Sequence, residues 1–368
     1  MKLVIFIGHF KTGSTSLQRF LANNYLSLLN RGILYPSVES MGMAHNISTA
    51  LRGRDQSCNG LSLNVTEPHN ALAVRLLNEE NNHHVPPYYP NLPGGFRMFD
   101  ALDSQIHTLA PDTMILCAEV FALFGGTKTQ KSLKRMARRF AEHDVTLYCS
   151  IRRPDEYLSS WHRQRLKFGG KLEPLRGKAF GAYRKTVHFQ HDLMVNGWLE
   201  HFPDARLVLR DYRDVLRGGG SVGDFFYHAV GRDVSDLPAV KPENPSVPCA
   251  YAEIGRRALR ELELPVARPF IAWLVRHADS VDHAADRDVE VFGADTRKAL
   301  YEGYAPIHDA LGALSGKPPF FSDFEDIGRV RPVSDLEAAS EVLPKLRRLA
   351  ARRFLDRKVQ AWLKDLSI

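Results

Sequence analysis

Cysteine is scarce in this chain: four among 368 residues, at Cys58, Cys117, Cys149 and Cys249, far apart and with no CxxC spacing. That excludes a disulfide scaffold and a cysteine-based metal site of the usual short spacing. Cys117 and Cys149 fall inside apolar runs, where a reduced thiol behaves as a small hydrophobe, so a reducing compartment is expected. Long hydrophobic runs are also missing, and nothing approaches the roughly eighteen apolar residues of a membrane span. The first apolar run, residues 3–7, meets Gly8 and a charged turn at once, too short for a signal-peptide core. The expectation is a cytoplasmic protein without stable membrane insertion, its fold beginning almost at residue 1. Internal repeats and low-complexity tracts are absent. An excess of one charge is small too: Lys+Arg 49 against Asp+Glu 42 gives +7. This is short of the dense basic patch of a nucleic-acid binder, but it suits an acidic small ligand. The chain is 44% hydrophobic and 25% charged, as in ordinary globular proteins, and long enough to bury a sizeable core without cross-links.

What is present is an alternation of short apolar runs with helical stripes. Residues 3–7 read as a buried strand, 8–14 as a glycine turn, and 15–29 as a helix with Leu17, Phe20, Leu21, Tyr25 and Leu28 on one face. Further strands are expected at 114–118, 145–151 and 206–209, with helices at 154–167 and 192–202 and one bearing Leu133, Met136 and Phe140. Strands separated by helices imply βαβ units and a parallel sheet. From about 36 to 99 the periodicity fades and Asn, His, Gly and Pro accumulate, which reads as a loop-rich insertion, around 36–110, that carries function or covers a site. From 241 to 368 the chain reads as a helical extension, with an amphipathic stretch over 334–366.

The sharpest local signal is Gly8-His9-Phe10-Lys11-Thr12-Gly13-Ser14-Thr15. Its glycine spacing is that of a phosphate-cradling loop between a strand and a helix, where backbone N–H groups converge on an anion. The position that carries lysine in a nucleoside-triphosphate loop holds Ser14, and the cation sits inside the loop at Lys11. That suits a grip on a single 5′-phosphate, with Lys11 on the bridging oxygen and Ser14 and Thr15 on phosphate oxygens. A second anion site is marked by Arg152-Arg153-Pro154 at the end of the strand 145–151, where a helix begins on proline. Arginine suits a terminal phosphate through its planar fork, while pairing of Arg152 or Arg153 with a carboxylate is the plainer alternative. A third element, Glu119, follows the strand 114–118, at the sheet edge where α/β proteins bind ligands. It reads as a general base or as a helix-capping carboxylate. His9, in the loop, is its rival as base, and His162 is a weaker candidate that a surface histidine would equally explain.

These motifs resemble the sulfotransferases that use 3′-phosphoadenosine 5′-phosphosulfate (PAPS), best the bacterial and Golgi carbohydrate-type branch. Lys11-Thr12-Gly13-Ser14-Thr15 is similar to the family's 5′-phosphosulfate loop. Arg152 with Pro154 and Ser160 matches its signature of an arginine, a proline two residues on and a serine eight residues on. The resemblance covers residues 1–30 and 112–230. It implies a P-loop-type three-layer α/β fold, with a single domain over 1–368, an acceptor-binding insertion over 36–110 and a helical extension over 241–368. It implies PAPS as co-substrate, held by Lys11, Thr12, Gly13, Ser14, Thr15, Ser16, Arg152 and Ser160. Glu119, Lys11 and His9 are the catalytic candidates, and a hydroxyl on a saccharide or a glycosylated small molecule is the acceptor. No metal is implied. Departures from the family are the serine missing before Glu119, Ser16 where cytosolic members carry tryptophan, and the lack of their glycine-rich C-terminal nucleotide motif, so no base-stacking residue is assigned. A P-loop kinase of a small molecule and a non-catalytic binder of sulfated or phosphorylated ligands are the competing classes.

Weaker signals remain. The basic run Lys128, Lys131, Lys134, Arg135, Arg138 and Arg139 reads as a solvated helix face or a rim that guides an anion. Tyr88, Tyr89 and Phe96 read as aromatic faces for a sugar or as plugs under a loop. Asp211-Tyr212 and the segment 241–246 resemble only loosely the family's later strand and the loop that follows it.

Overall fold

The computed structural model describes residues 1–127, 130–240, 246–353 and 356–368. Lys128, in the basic run, and 241–245, in the loosely matched segment, lie outside the described residues. The chain forms an α/β protein with a five-stranded parallel sheet and a helical C-terminal region, divided into two compact units. The first comprises residues 1–152, 190–242 and 308–320, and the second 153–189, 243–307 and 321–368. Among the described residues no helix is long and apolar enough to cross a membrane.

The first unit holds the sheet: β1 (Lys2–Phe6), β2 (Ile33–Leu34), β3 (Thr113–Cys117), β4 (Asp144–Ile151) and β5 (Arg206–Asp211), in the order β2-β3-β1-β4-β5. Four of these are the expected strands; β2, two residues long, leaves no readable pattern. Leu3, Val4 and Ile5 of β1, and Met114 to Cys117 of β3, have no exposed surface, because a parallel sheet is covered on both faces and selects continuous apolar runs. Register is set by Phe6 lying beside Cys117 of β3 and Tyr148 of β4. Alternate residues Val4 and Phe6 face a core with Leu17, Phe20, Phe225 and Phe226. The central position of β1, with later strands on both sides, brings the carboxyl ends of β1, β3 and β4 to one edge.

The stretch 36–110 differs from the loop-rich reading. It carries the helices Ser40–Leu51, Pro68–Asn81 and Gly95–Leu109. The helix 68–81 buries His69 and Asn70 beside Ala71, Leu72 and Leu76, so polar residues interrupt the apolar stripe that would have announced it. The expected helix 15–29 is divided at Asn24 into Ser14–Asn23 and Tyr25–Leu29.

The second unit contains the helices Pro154–Lys167, Cys249–Glu261 and Leu264–Arg276, the C-terminal helices Asp335–Arg353 and Arg357–Asp365, and a small parallel sheet of β6 (Val289–Glu290) and β7 (Val333–Ser334). Its charged residues are ordered by a buried network. Arg153 donates to Asp155 at 2.7 and 3.0 Å, and Arg297 approaches Asp155 at 3.5 Å and Glu290 at 2.5 Å. Opposite charges removed from water in this way must be paired, and here they are.

Candidate functional site

The glycine turn is built by β1 continuing past its last strand residue. Ile7 N–H donates to Tyr148 O, His9 N–H to Ser150 O and Ser150 N–H to Gly8 O, so the chain leaves the sheet only after His9. Gly8 has φ +115°, and a Cβ there would lie 2.8 Å from the Ala122 Cβ and 3.5 Å from the Glu119 carbonyl oxygen. Only glycine permits both the backbone angle and that approach. Gly13, at φ +80°, starts the helix Ser14–Asn23, whose first turn carries no acidic residue. A Cβ at Gly13 would meet Ser221 Oγ at 1.9 Å, and that hydroxyl donates to Thr12 O at 3.0 Å. Between the glycines, Thr12 Oγ1 donates to His9 O at 2.7 Å. Lys11 stands at φ 62°, a left-handed conformation that a lysine adopts against its steric preference. Such a residue is held there by its surroundings, and strain of this kind gathers at ligand sites.

The candidates do not all behave alike. His9 is fully buried, edge-on to His191 at 4.7 Å and to Phe10 at 5.5 Å. Glu119 is partly buried at the start of the turn Glu119–Gly126, next to Gly8. This turn is clamped by Trp198, which donates to Phe121 O at 3.2 Å and stacks on Phe124. The Arg152 guanidinium lies over the Tyr212 ring, 5.9 Å from its centroid, and the Tyr212 hydroxyl is 3.7 Å from where a Gly13 Cβ would be. The first unit therefore brings together the loop 8–15, Glu119 and Arg152.

Ser160 is buried on the helix Pro154–Lys167 and belongs to the second unit. For Arg153 the plainer reading holds, since it is tied to Asp155 and Asp323. His162 is no surface histidine. It is buried, with Nδ1 3.0 Å from the Tyr183 hydroxyl, and burial first, then nearby arginines, push its pKa down to about 3. A ring held neutral in this way is a poor proton acceptor at neutral pH.

A cleft of about 1190 Å³ opens beside the loop, lined by Gly13, Ser16, Phe20, Tyr212, Phe226 and Tyr227 with the glycines 218–220. In the basic run, Arg135 pairs with Glu79 at 2.9 Å and lies over Phe99, and Arg139 pairs with Asp103. These arginines fasten the insertion helices to the helix Lys131–Arg139 rather than facing solvent alone. Of the insertion aromatics, Tyr89 is buried while Tyr88 and Phe96 are exposed.

Residues with no signature complete the far side of the site. His69 accepts the Cys117 N–H at Nδ1 (3.0 Å), and its Nε2 lies 3.0 Å from Pro36 O, which fixes the proton on Nε2. Burial pushes its pKa down to about 3. Asn70 donates to Glu67 at 2.9 Å and accepts from Val120 N–H at 3.4 Å. Gln18 donates to Cys117 O at 3.2 Å. Burial first, and then the charge of Glu119, raise the Glu67 pKa to about 7.

No family model matches the chain, and no solved structure matches it. A protein of Archaeoglobus fulgidus described as uncharacterized is 29% identical over 154 residues, 41% of this chain. The chain spans about two fifths of that relative, 39% of its length.

Proposed function

We propose that the first unit is a P-loop-type sulfuryl-transfer module that binds PAPS on the loop 8–15 and transfers its sulfuryl group to a hydroxyl of a saccharide or a glycosylated small molecule. The observation that carries this reading is the position of Lys11. It is held in a left-handed backbone conformation inside the loop, ahead of a helix N-terminus that starts on Gly13 and Ser14. A nucleoside-triphosphate loop needs its lysine after the second glycine, on the β- and γ-phosphates. Here that position is Ser14, buried, and the lysine precedes it. The arrangement fits a donor in which one phosphate carries the leaving bond.

In the proposed reaction, Glu119 takes the proton of the acceptor hydroxyl, whose oxygen attacks sulfur in line. The new O–S bond forms as the bond from sulfur to the 5′-phosphate oxygen breaks, leaving the electron pair on the bisphosphate nucleotide, where Lys11 and the N–H groups of the helix start neutralise it. Positioning and preorganised charge supply most of the acceleration in transfers of this type. Arg152 binds the 3′-phosphate. The cleft beside Gly13 and Ser16 takes the base, with Tyr212, Phe226 and Tyr227 as its aromatic walls. His9, buried between His191 and Phe10, is better suited to shaping the loop than to meeting a hydroxyl.

The test is turnover of sulfur-labelled PAPS with a panel of sugars and glycosides, run beside magnesium-ATP. Label transfer to a hydroxyl with release of adenosine 3′,5′-bisphosphate is the expected result. Phosphorylation from ATP without use of PAPS would make the module a kinase, and tight bisphosphate binding with no transfer to any acceptor, water included, would make it a binder.

A further inference from the structure

We propose that Glu67 is a second acid/base carboxylate of this site, acting with Glu119 as a proton-sharing pair that receives the acceptor's proton. The catalytic part of this inference rests on the sulfuryl-transfer reading above; the pairing itself does not.

The geometry begins with the insertion. Glu67 immediately precedes the helix Pro68–Asn81, and the next residues lace that helix start to the carboxyl end of β3. His69 takes the Cys117 N–H, and Asn70, 1% exposed, spans from Glu67 to Val120, the neighbour of Glu119. Both carboxylates are thereby brought to the carboxyl end of β3, near enough for the Glu119 charge to act on Glu67. Two atoms here lack hydrogen-bond partners among the described residues: Glu119 Oε2 and the hydroxyl of Tyr35, which senses both carboxylates, is 3% exposed and lies edge-on to His69 at 4.7 Å. Buried polar atoms are paired in the great majority of cases, so two left open beside a pair of carboxylates point to a polar guest.

The charges facing Glu67 are few. Tyr35, Tyr89 and Cys117 sense its charge, and burial raises all three, so they stay protonated and neutral. His69 stays neutral because burial holds it near 3. That leaves Glu119, which raises the Glu67 pKa, and Arg19 from the helix Ser14–Asn23, which lowers it together with the Asn70 hydrogen bond. A like charge nearby and burial both oppose ionisation, and at Glu67 they act together. Below about 7 Glu67 holds a proton and lends Glu119 no negative charge. Above it Glu67 is ionised, and its charge favours the arrival of a proton on its neighbour. Glu119 then accepts the acceptor's proton as the O–S bond forms, and the pair returns that proton to water after the product leaves.

The experiment is a carboxyl titration followed by carbon NMR on protein labelled in glutamate, without any nucleotide, in wild type, Glu67→Gln and Glu119→Gln. Glutamine at 67 keeps the acceptor for Asn70. One glutamate is expected to titrate near pH 7 in the wild type, to disappear in Glu67→Gln and to move to lower pH in Glu119→Gln. An unmoved midpoint in Glu119→Gln would overturn the pairing. The second arm follows release of adenosine 3′,5′-bisphosphate from PAPS with water as the acceptor. The wild-type rate is expected to rise through pH 7, and Glu67→Gln to lose that step and about tenfold or more in rate at pH 8. A wild-type pH profile in Glu67→Gln would overturn the catalytic role. Failure of the wild type to bind adenosine 3′,5′-bisphosphate would instead defeat the sulfuryl-transfer reading, and the titration would still decide the pairing.

Discussion

Arg152 and Tyr212 form one support for the candidate anion site: the guanidinium rests over the ring at 5.9 Å from its centroid, and the phenol of the same residue borders Gly13. A cation above an aromatic face is held in place, and the planar guanidinium fork has the geometry that suits a phosphate. Tyr212→Leu should therefore weaken adenosine 3′,5′-bisphosphate binding about 3- to 10-fold through loss of that support. Tyr212→Phe, which keeps the ring, should lie close to wild type. Calorimetric titration of both variants checks this.

Lys11 separates stability from function. Its φ of 62° favours glycine, so Lys11→Gly should keep or raise thermal stability, by up to about 1 kcal/mol, while the bisphosphate affinity falls. Denaturant melts beside binding measurements give both numbers. A large loss of stability would mean that the lysine acts structurally.

His69 makes the insertion latch sensitive to acid. Its folded pKa is lowered to about 3 from an unfolded value near 6.5, so between these limits the unfolded chain binds a proton that the native chain refuses. Its contribution is fully present above pH 6.5 and is lost as pH falls toward 3, by up to about 1.4 kcal/mol per unit. His69→Gln should flatten this limb of the stability–pH curve, measured by urea unfolding from pH 7 to 4. His69→Ala, which leaves the Cys117 N–H and the Pro36 carbonyl unpaired, should lose about 2–4 kcal/mol at neutral pH.

Glu67 works in the opposite sense. Its folded pKa is raised to about 7 from 4.5, so its stabilising contribution is fully present below pH 4.5 and is lost as pH rises through 7. Glu67→Gln should accordingly be more stable than wild type at pH 8, on the order of 1–3 kcal/mol, and equal to it near pH 4. Carboxylates retained at a cost to stability are common where charge does chemistry.

The parts legible in the chain were those whose physics is local. Residues 3–7 and 114–118 are continuous apolar runs because both sheet faces are covered, and the Gly8 and Gly13 spacing follows from backbone angles that only glycine tolerates. The insertion was opaque for the opposite reason. Its helix 68–81 turns His69 and Asn70 inward, where they pair with the backbone of residues far along the chain, Cys117 and Val120. A buried polar residue whose partner is 48 or 50 positions away looks, in sequence, like a loop residue. The only hint was the accumulation of Asn and His without a period. Arg153 was equally ambiguous: beside Arg152 it reads as a second anion ligand, yet Asp155 and Asp323 hold it as structure.

The central claim is that the loop at Lys11 and the strand end at Arg152 hold one bisphosphate nucleotide. It is tested most directly by calorimetric titration of adenosine 3′,5′-bisphosphate, without magnesium, into wild type, Lys11→Ala and Arg152→Ala. Loss of a charge-assisted contact at each end predicts binding to the wild type and affinities lower by about 10- to 100-fold in each variant. No binding to the wild type, or undiminished affinity in both variants, would contradict it.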